Sequence, residues 1–374
     1  FKSIIIIFSI SVIICNGCSK KNSSSNEDTP IGLSEIPQTV GSDGYYVGSF
    51  KVPSNGISFL LSIFKDNNAS VSFYSLIDPD GINILSKSSS PNLYYDASGS
   101  PGNNYMSKAG YANVIVPHTP SFSAKEGKWT FKAYDNDRVK LFLRAGSISS
   151  TSTKIVVQPY ITGTIWSTSD ITTSLSVLSS IYNSNGIDLN INTTITISDS
   201  KYATVSGTFT NSTTSGLVSK GTTEGVNLFF IEDYSSGLWS GTLGNAAGIP
   251  GSMRIANSWN GVLISLSAHA SGTTLDSQLL GETAAHEMGH QLGLFHTSES
   301  GGTIFDILSD TEECPISLDN NSDGRISAEE CENFGAKNVM FWTPWTSTSR
   351  SSGKRQDNFS SNQQHVLKYS PIAN

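Results

Sequence analysis

HEMGHQLGLFH occupies residues 286–296 and holds three of the six histidines in a chain of 374 residues. On a helix, residues four apart share one face, one turn apart. His286 and His290 can therefore reach one small cation. Glu287 stands beside the first imidazole, placed to take the proton of a water that the cation activates. Gly293 lets the backbone turn sharply after the helix, so that His296 can swing back as a third ligand. Three nitrogen ligands with one position left open is the catalytic rather than the structural arrangement of zinc. Upstream, Leu275, Leu279, Leu280, Thr283, Ala284 and Glu287 keep a helical period. The motif is thus expected on a helix that ends at Gly293.

The five fixed positions His286, Glu287, His290, Gly293 and His296 match H-E-x-x-H-x-x-G-x-x-H, and this stretch resembles the metzincin metalloproteases. The stretch AKNVMFWTP (336–344) resembles their methionine turn, with Met340 as the methionine. Two residues on, where several metzincins place a metal-approaching tyrosine, this chain has Trp342. GLFHTSESGGTIFDILSDTEECP is similar to the pappalysin and cytophagalysin branch, through Asp310-Thr311 and Cys314-Pro315. Residues 244–251 resemble the edge-strand region ahead of the active helix in that branch. The resemblance covers roughly residues 150–374. It implies a zinc endopeptidase that acts on protein or peptide substrates, with zinc on His286, His290 and His296 and Glu287 as general base. Two other readings use the same residues. One is an inactive zinc-binding surface lipoprotein serving as a ligand-binding or adhesion module. The other is a metallohydrolase acting on a non-peptide bond, which a peptide-length groove along 244–251 would argue against.

A second cation is expected downstream. DNNSDGRISAEE (319–330) fits a twelve-residue EF-hand loop. Asp319, Asn321 and Asp323 supply oxygens at positions 1, 3 and 5, and Gly324 makes the turn at 6. Arg325 offers its carbonyl at 7, Ile326 is apolar at 8, Ser327 falls at 9 and Glu330 at 12. Calcium is the ion such a loop takes, although no paired EF-hand accompanies it. The alternative is an Asp/Asn-rich surface turn. Asp306 and Asp310 are a weaker candidate pair for another cation. His118, His269 and His365 stand apart and read as surface or packing residues.

The N-terminus begins FKSIIIIFSISVIICNGCSKKN. An apolar run over 4–14 is too short to span a bilayer and fits the h-region of a signal peptide. Gly17 before Cys18 resembles a bacterial lipoprotein signal, which implies cleavage after residue 17 and lipid on Cys18. An ordinary secretory signal is the alternative. Either way the expected location is extracytoplasmic, anchored to a bacterial membrane, with the outer membrane or cell surface favoured, or secreted. Of four cysteines, Cys15 would leave with the signal and Cys18 would carry lipid. Cys314 and Cys331 remain, and in an oxidising compartment they are expected to pair. A closed loop of that size contributes roughly 3 kcal/mol in the chain-entropy account.

The expected organisation follows from texture. Residues 18–40 read as a flexible tether. Residues 41–148 carry short apolar or alternating runs (YYVGSFKV, ISFLLSIF, ANVIV, GKWTFKAYD, KLFLRA) punctuated by turns such as DPDG. These predict an antiparallel, jelly-roll-like β-sandwich, similar to modules attached to secreted bacterial proteases and proprotein convertases. Residues 150–374 alternate strands with helices, an α/β or α+β pattern. One helix is expected over DITTSLSVLSSIYNSNGI, capped by Asp170 and stopped by Gly186. Charged residues are only 14% and the formal net charge is −8. A mildly acidic chain without basic runs argues against nucleic acid as a partner. A monomer is expected.

Overall fold

The computed structural model describes residues 32–374 except 67–68, 70, 86–105, 109, 149–152 and 236. The expected signal peptide, Cys18 and most of the expected tether lie outside the described residues. Strands begin earlier than expected, at Gly32 rather than after residue 40. Strands β1 (Gly32–Glu35) and β2 (Gln38–Val40) are followed by β3 (Tyr46–Val52), β4 (Gly56–Phe64), β5 (Ser72–Ile77), β6 (Met106–Lys108), β7 (Tyr111–Val116), β8 (Gly127–Tyr134) and β9 (Arg138–Ala145). The stretch 32–40 is held by strand partners both near and distant in sequence. Leu33 lies opposite Phe142 and Thr39 opposite Val47.

These strands form two antiparallel sheets, ordered β1-β9-β4-β7-β6 and β2-β3-β8-β5. Inward-facing residues of both sheets share one apolar core. Phe50 from one sheet meets Phe59 from the other at 5.1 Å between ring centroids, and Trp129 meets Phe59 at 5.0 Å. The buried indole N–H donates to the Lys125 carbonyl at 2.9 Å, so its polar end is satisfied.

Strands β4 and β7 are apolar along their length for a further reason. Successive side chains point to opposite faces. Phe59, Leu61 and Ile63 enter the core between the sheets, while Leu60 enters the core of the C-terminal unit. In β7, Val114 and Val116 face inward and Ile115 outward. Asn113, fully buried, accepts from Ser62 Oγ at 2.6 Å and donates to the Gly251 carbonyl at 2.8 Å. Tyr111 stacks on Trp259 at 5.9 Å. Arg144 reaches the carbonyls of Lys368 and Ser370 at 2.7 and 3.0 Å.

The C-terminal unit opens with β10 (Thr153–Thr162), helix α1 (Thr172–Ser184), β11 (Ile187–Ile191), β12 (Ile195–Ile197), β13 (Thr204–Val205) and helix α2 (Ser212–Val218). Then come β14 (Val226–Ile231), β15 (Asp233–Tyr234), β16 (Gly244–Ala246), β17 (Val262–Ser265), β18 (Ala270–Ser271), β19 (Thr274–Leu275) and helix α3 (Ser277–Gln291). Short helices α4 (Ser347–Ser351) and α5 (Ser361–Lys368) close the chain. The main sheet runs β11-β10-β14-β17-β16, parallel except for the antiparallel edge strand β16.

Helix α1 starts one residue later than expected. Ile171 occupies its cap without a side-chain bond. Asp170 instead accepts from the Ser167 backbone N–H and hydroxyl, both at 2.7 Å, and folds the preceding turn. Gly186 does stop the helix, at φ +76°. Helices α1 and α3 pack closely because Gly281 has no side chain: a Cβ there would strike Val177 and the Ser174 carbonyl. Tyr182 donates across the same contact to the Ala285 carbonyl at 3.2 Å.

Candidate metal centre

Helix α3 carries the motif. Asp276 caps its N-terminus by accepting from the Leu279 N–H at 3.0 Å. Its C-terminus closes as a Schellman turn. Gly293, at φ +105°, donates to the His290 carbonyl, and Leu294 donates to the Gly289 carbonyl, both at 2.9 Å. This turn brings His296 back over the helix. Its Nε2 lies 3.1 Å from Nε2 of His286 and 3.1 Å from Nε2 of His290.

The three imidazoles fit a metal on their own chemistry. Each Nδ1 is turned outward to an oxygen. His286 Nδ1 meets the Val339 carbonyl at 2.7 Å, His290 Nδ1 the Leu294 carbonyl at 2.7 Å, and His296 Nδ1 the Glu299 carboxylate at 3.0 Å. Such partners fix the tautomer with the proton on Nδ1 and free the Nε2 lone pair for a ligand. Three lone pairs then face one another, an arrangement that a cation stabilises. Burial, with the neighbouring His296, takes His286 down to about 3, and burial takes His290 well below its ordinary value. Both therefore stay neutral, the form that binds metal. Their ligand atoms all lie within 4.8 Å of one another, close enough to share one ion.

Glu299 was not singled out in the sequence, although its place three residues after His296 is a usable signal. Burial works to raise its pKa, yet the contact with His296 brings it below the ordinary carboxylate value. Glu299→Gln is expected to weaken zinc binding by about 10- to 100-fold, the usual effect of losing an outer partner. Competition with a chromophoric zinc chelator measures this directly.

Beneath the triad lies Met340. Asn338 shapes its turn, accepting from the Met340 N–H at 2.8 Å through its side chain and from the Phe341 N–H at 3.1 Å through its carbonyl. The Met340 sulfur rests against helix α3 at Gly289, where a Cβ would collide with it. The Met340 carbonyl accepts from the Thr297 N–H at 3.0 Å, tying the turn to the segment that carries His296.

Glu287 lines the same cleft as the three histidines. It is only 8% exposed and lies against Gly244 of β16, where any Cβ would strike its side chain. Burial pushes its carboxyl up to about 8, against the pull of the Ala246 backbone amide. A cation at the triad acts in the opposite direction, favouring the carboxylate. A cleft of about 770 Å³ opens here. It is lined by residues 241–246 and Ile249, by residues 341–344 and by side chains of helix α3.

The downstream loop is tied to this cleft. Cys314 and Cys331 form a disulfide with Cα atoms 5.8 Å apart. Within the loop, Gly324 takes φ +81° and donates to Asp319 at 2.9 Å, and Asn321 and Asp323 each accept from the N–H two residues on. Glu330 folds back onto the N–H groups of Asn320 and Ser327. Its carboxylates are thus bonded to the loop's own amides. The Ile326 carbonyl accepts from the Trp342 indole at 2.8 Å, so the loop braces a cleft wall. Asp306 and Asp310 do not converge on a cation: Asp306 accepts from Thr311 and Leu308, while Asp310 binds Ser360 and Asn362 at the start of α5. His269 is enclosed by the Ser265 carbonyl and Thr283. His365 stacks on Tyr369.

Residues 168–297 match the family model of the reprolysin-like metallopeptidases, family M12B. The match ends one residue beyond His296 and supports a zinc-dependent protease. Among solved structures, metalloproteinase II of Bacteroides fragilis is 16% identical, with 43% of this chain and 48% of that one covered and a TM-score of 0.29. A Bacillus subtilis protein, YXIM, is 8% identical, with 54% and 55% covered and a TM-score of 0.17. The chain thus spans about half the length of either, and likenesses at these scores carry no argument about fold. No curated protein matches the chain. The family match gives no support to the pappalysin branch over other metalloproteases. Among the described residues, no helix is long and apolar enough to cross a membrane.

Proposed function

We propose that the protein is a zinc endopeptidase of metzincin type. The convergence of three Nε2 atoms, each with its Nδ1 held by an oxygen, carries this reading. His286, His290 and His296 hold the metal. Zinc bound there supplies Lewis acidity toward water and a peptide carbonyl. Glu287 accepts the proton of the attacking water and passes it to the leaving amine. Strand β16 is the free edge of its sheet and borders the cleft, so an extended peptide can pair with it by main-chain hydrogen bonds. That groove favours a peptide over a small non-peptide substrate.

The two N-terminal sheets are read as a β-sandwich. The protein is placed outside the cytoplasm, tethered through lipid on Cys18. Digestion of a diverse peptide mixture tests the activity. Cleavage should stop on zinc removal and return on adding zinc; a zinc-loaded protein that cuts nothing would leave the binding-module reading.

Calcium is proposed for the loop 319–330, through Asp319, Asn321, Asp323, the Arg325 carbonyl, Ser327 and Glu330. The bond from Trp342 to Ile326 makes the loop's order matter to the cleft. A calcium-selective chelator at saturating zinc is therefore expected to lower both peptidase activity and melting temperature. If both stay unchanged, the loop is an ordinary surface turn.

A further inference from the structure

The cleft changes chemistry one turn from the histidines. Glu282 precedes His286 by four residues, so it shares that helical face about 6 Å further along the axis. It lines the same cleft but is only 3% exposed. Its Oε1 accepts from Gln278 Nε2 at 2.7 Å, whereas Oε2 is buried without a hydrogen-bond partner among the described residues. Nor does any ion pair among the described residues reach it. Arg350 and Arg355 act on it only at longer range, because Arg350 pairs with Asp276 at 2.9 Å and Arg355 donates to the carbonyls of Arg350 and Lys354, both at 2.7 Å. Burial pushes the Glu282 carboxyl up to about 7, against the pull of the Gln278 side chain, of Arg355 and Arg350 at longer range, and of the Gln356 backbone amide.

A carboxylate enclosed in this way is costly unless a cation accompanies it. The cleft around it supplies what a cationic side chain needs besides charge. Leu279 and Pro344 also line the cleft and offer apolar surface, and the methylene stem of lysine or arginine lies well along such surface while its head reaches a polar group.

We infer that Glu282 is the specificity-determining residue of the cleft, receiving the lysine or arginine side chain of a substrate residue adjoining the scissile bond. The assignment rests on the peptidase reading and names its substrate class. A neutral donor would satisfy Oε2 but leave the charge unpaired, so arginine should be favoured over citrulline, which keeps the shape and loses the charge.

The test separates binding from cleavage. A fluorescent polyalanine peptide with one central arginine, and its citrulline counterpart, are titrated against the zinc-loaded Glu287→Ala protein. The arginine peptide is expected to bind tighter by about tenfold or more, as for a desolvated charge pair. Adding Glu282→Gln should collapse that ratio toward one, with zinc content and melting temperature showing that the double variant is folded. Equal binding of the two peptides, no binding of either, or an undiminished ratio in Glu282→Gln overturns the assignment. Selective binding of arginine with no cleavage by the Glu287-containing protein would keep the pocket and remove the peptidase.

Discussion

Glu287→Ala should lower peptide cleavage by at least about 10²- to 10⁴-fold, the range that a positioned general base contributes, with zinc still bound. The geometry separates the two roles. Glu287 lies outside the set of side chains that can hold the ion. Its carboxyl is buried against Gly244 on the cleft side of helix α3, beside His286. Removing it should therefore leave the three Nε2 atoms in place and take away only the proton acceptor. Glu287→Gln should behave alike, because an amide preserves the packing but cannot accept the proton. Specific activity and zinc content, measured on the same preparations, check this. Cleavage at the wild-type rate in Glu287→Ala would remove Glu287 from the mechanism.

His296→Ala is expected to have the largest effect on the metal. The other two ligands ride on one helix and survive its loss, but two nitrogens alone hold zinc poorly. The drop should exceed the roughly 10- to 100-fold expected for an outer partner such as Glu299. Because binding to the folded state is linked to stability, zinc removal should lower the melting temperature of the wild type. The same treatment should leave His296→Ala almost unmoved. Calorimetric melting with and without chelator reads both effects. Tight stoichiometric zinc in His296→Ala would mean that the convergence at 3.1 Å is not the metal site.

Much of this was legible because the signals are local. The spacing of 286, 290 and 296 placed three histidines on a helix and its following turn, and Gly293 marked where the turn falls. The pairing of Cys314 with Cys331 came from counting, and the Asn338–Met340 turn from its position after the histidines. What escaped depends either on a competing local bond or on partners that only the fold brings together. Asp170 looked like a helix cap, but the hydroxyl and N–H of Ser167 compete for the same carboxylate. Residues 32–40 looked like tether because polar strands are visible only through partners such as Phe142 and Val47. Glu282 passed as one more polar helix residue until the fold buried it in the wall of the cleft with one carboxylate oxygen lacking a hydrogen-bond partner among the described residues.

The run ISFLLSIF in β4 held a clue of another kind. A strand with one wet face alternates, whereas one covered on both sides reads as a continuous apolar run. Leu60 and Ile115 press on the C-terminal unit, Ile115 lies close to Gly293 at the very turn that returns His296, and Asn113 clasps Gly251. The N-terminal sheets are therefore no interchangeable attachment. Swapping them for the corresponding part of another protease would require matched changes at the contact, so the two halves are bound to drift together, each substitution on one side setting the terms for the next on the other.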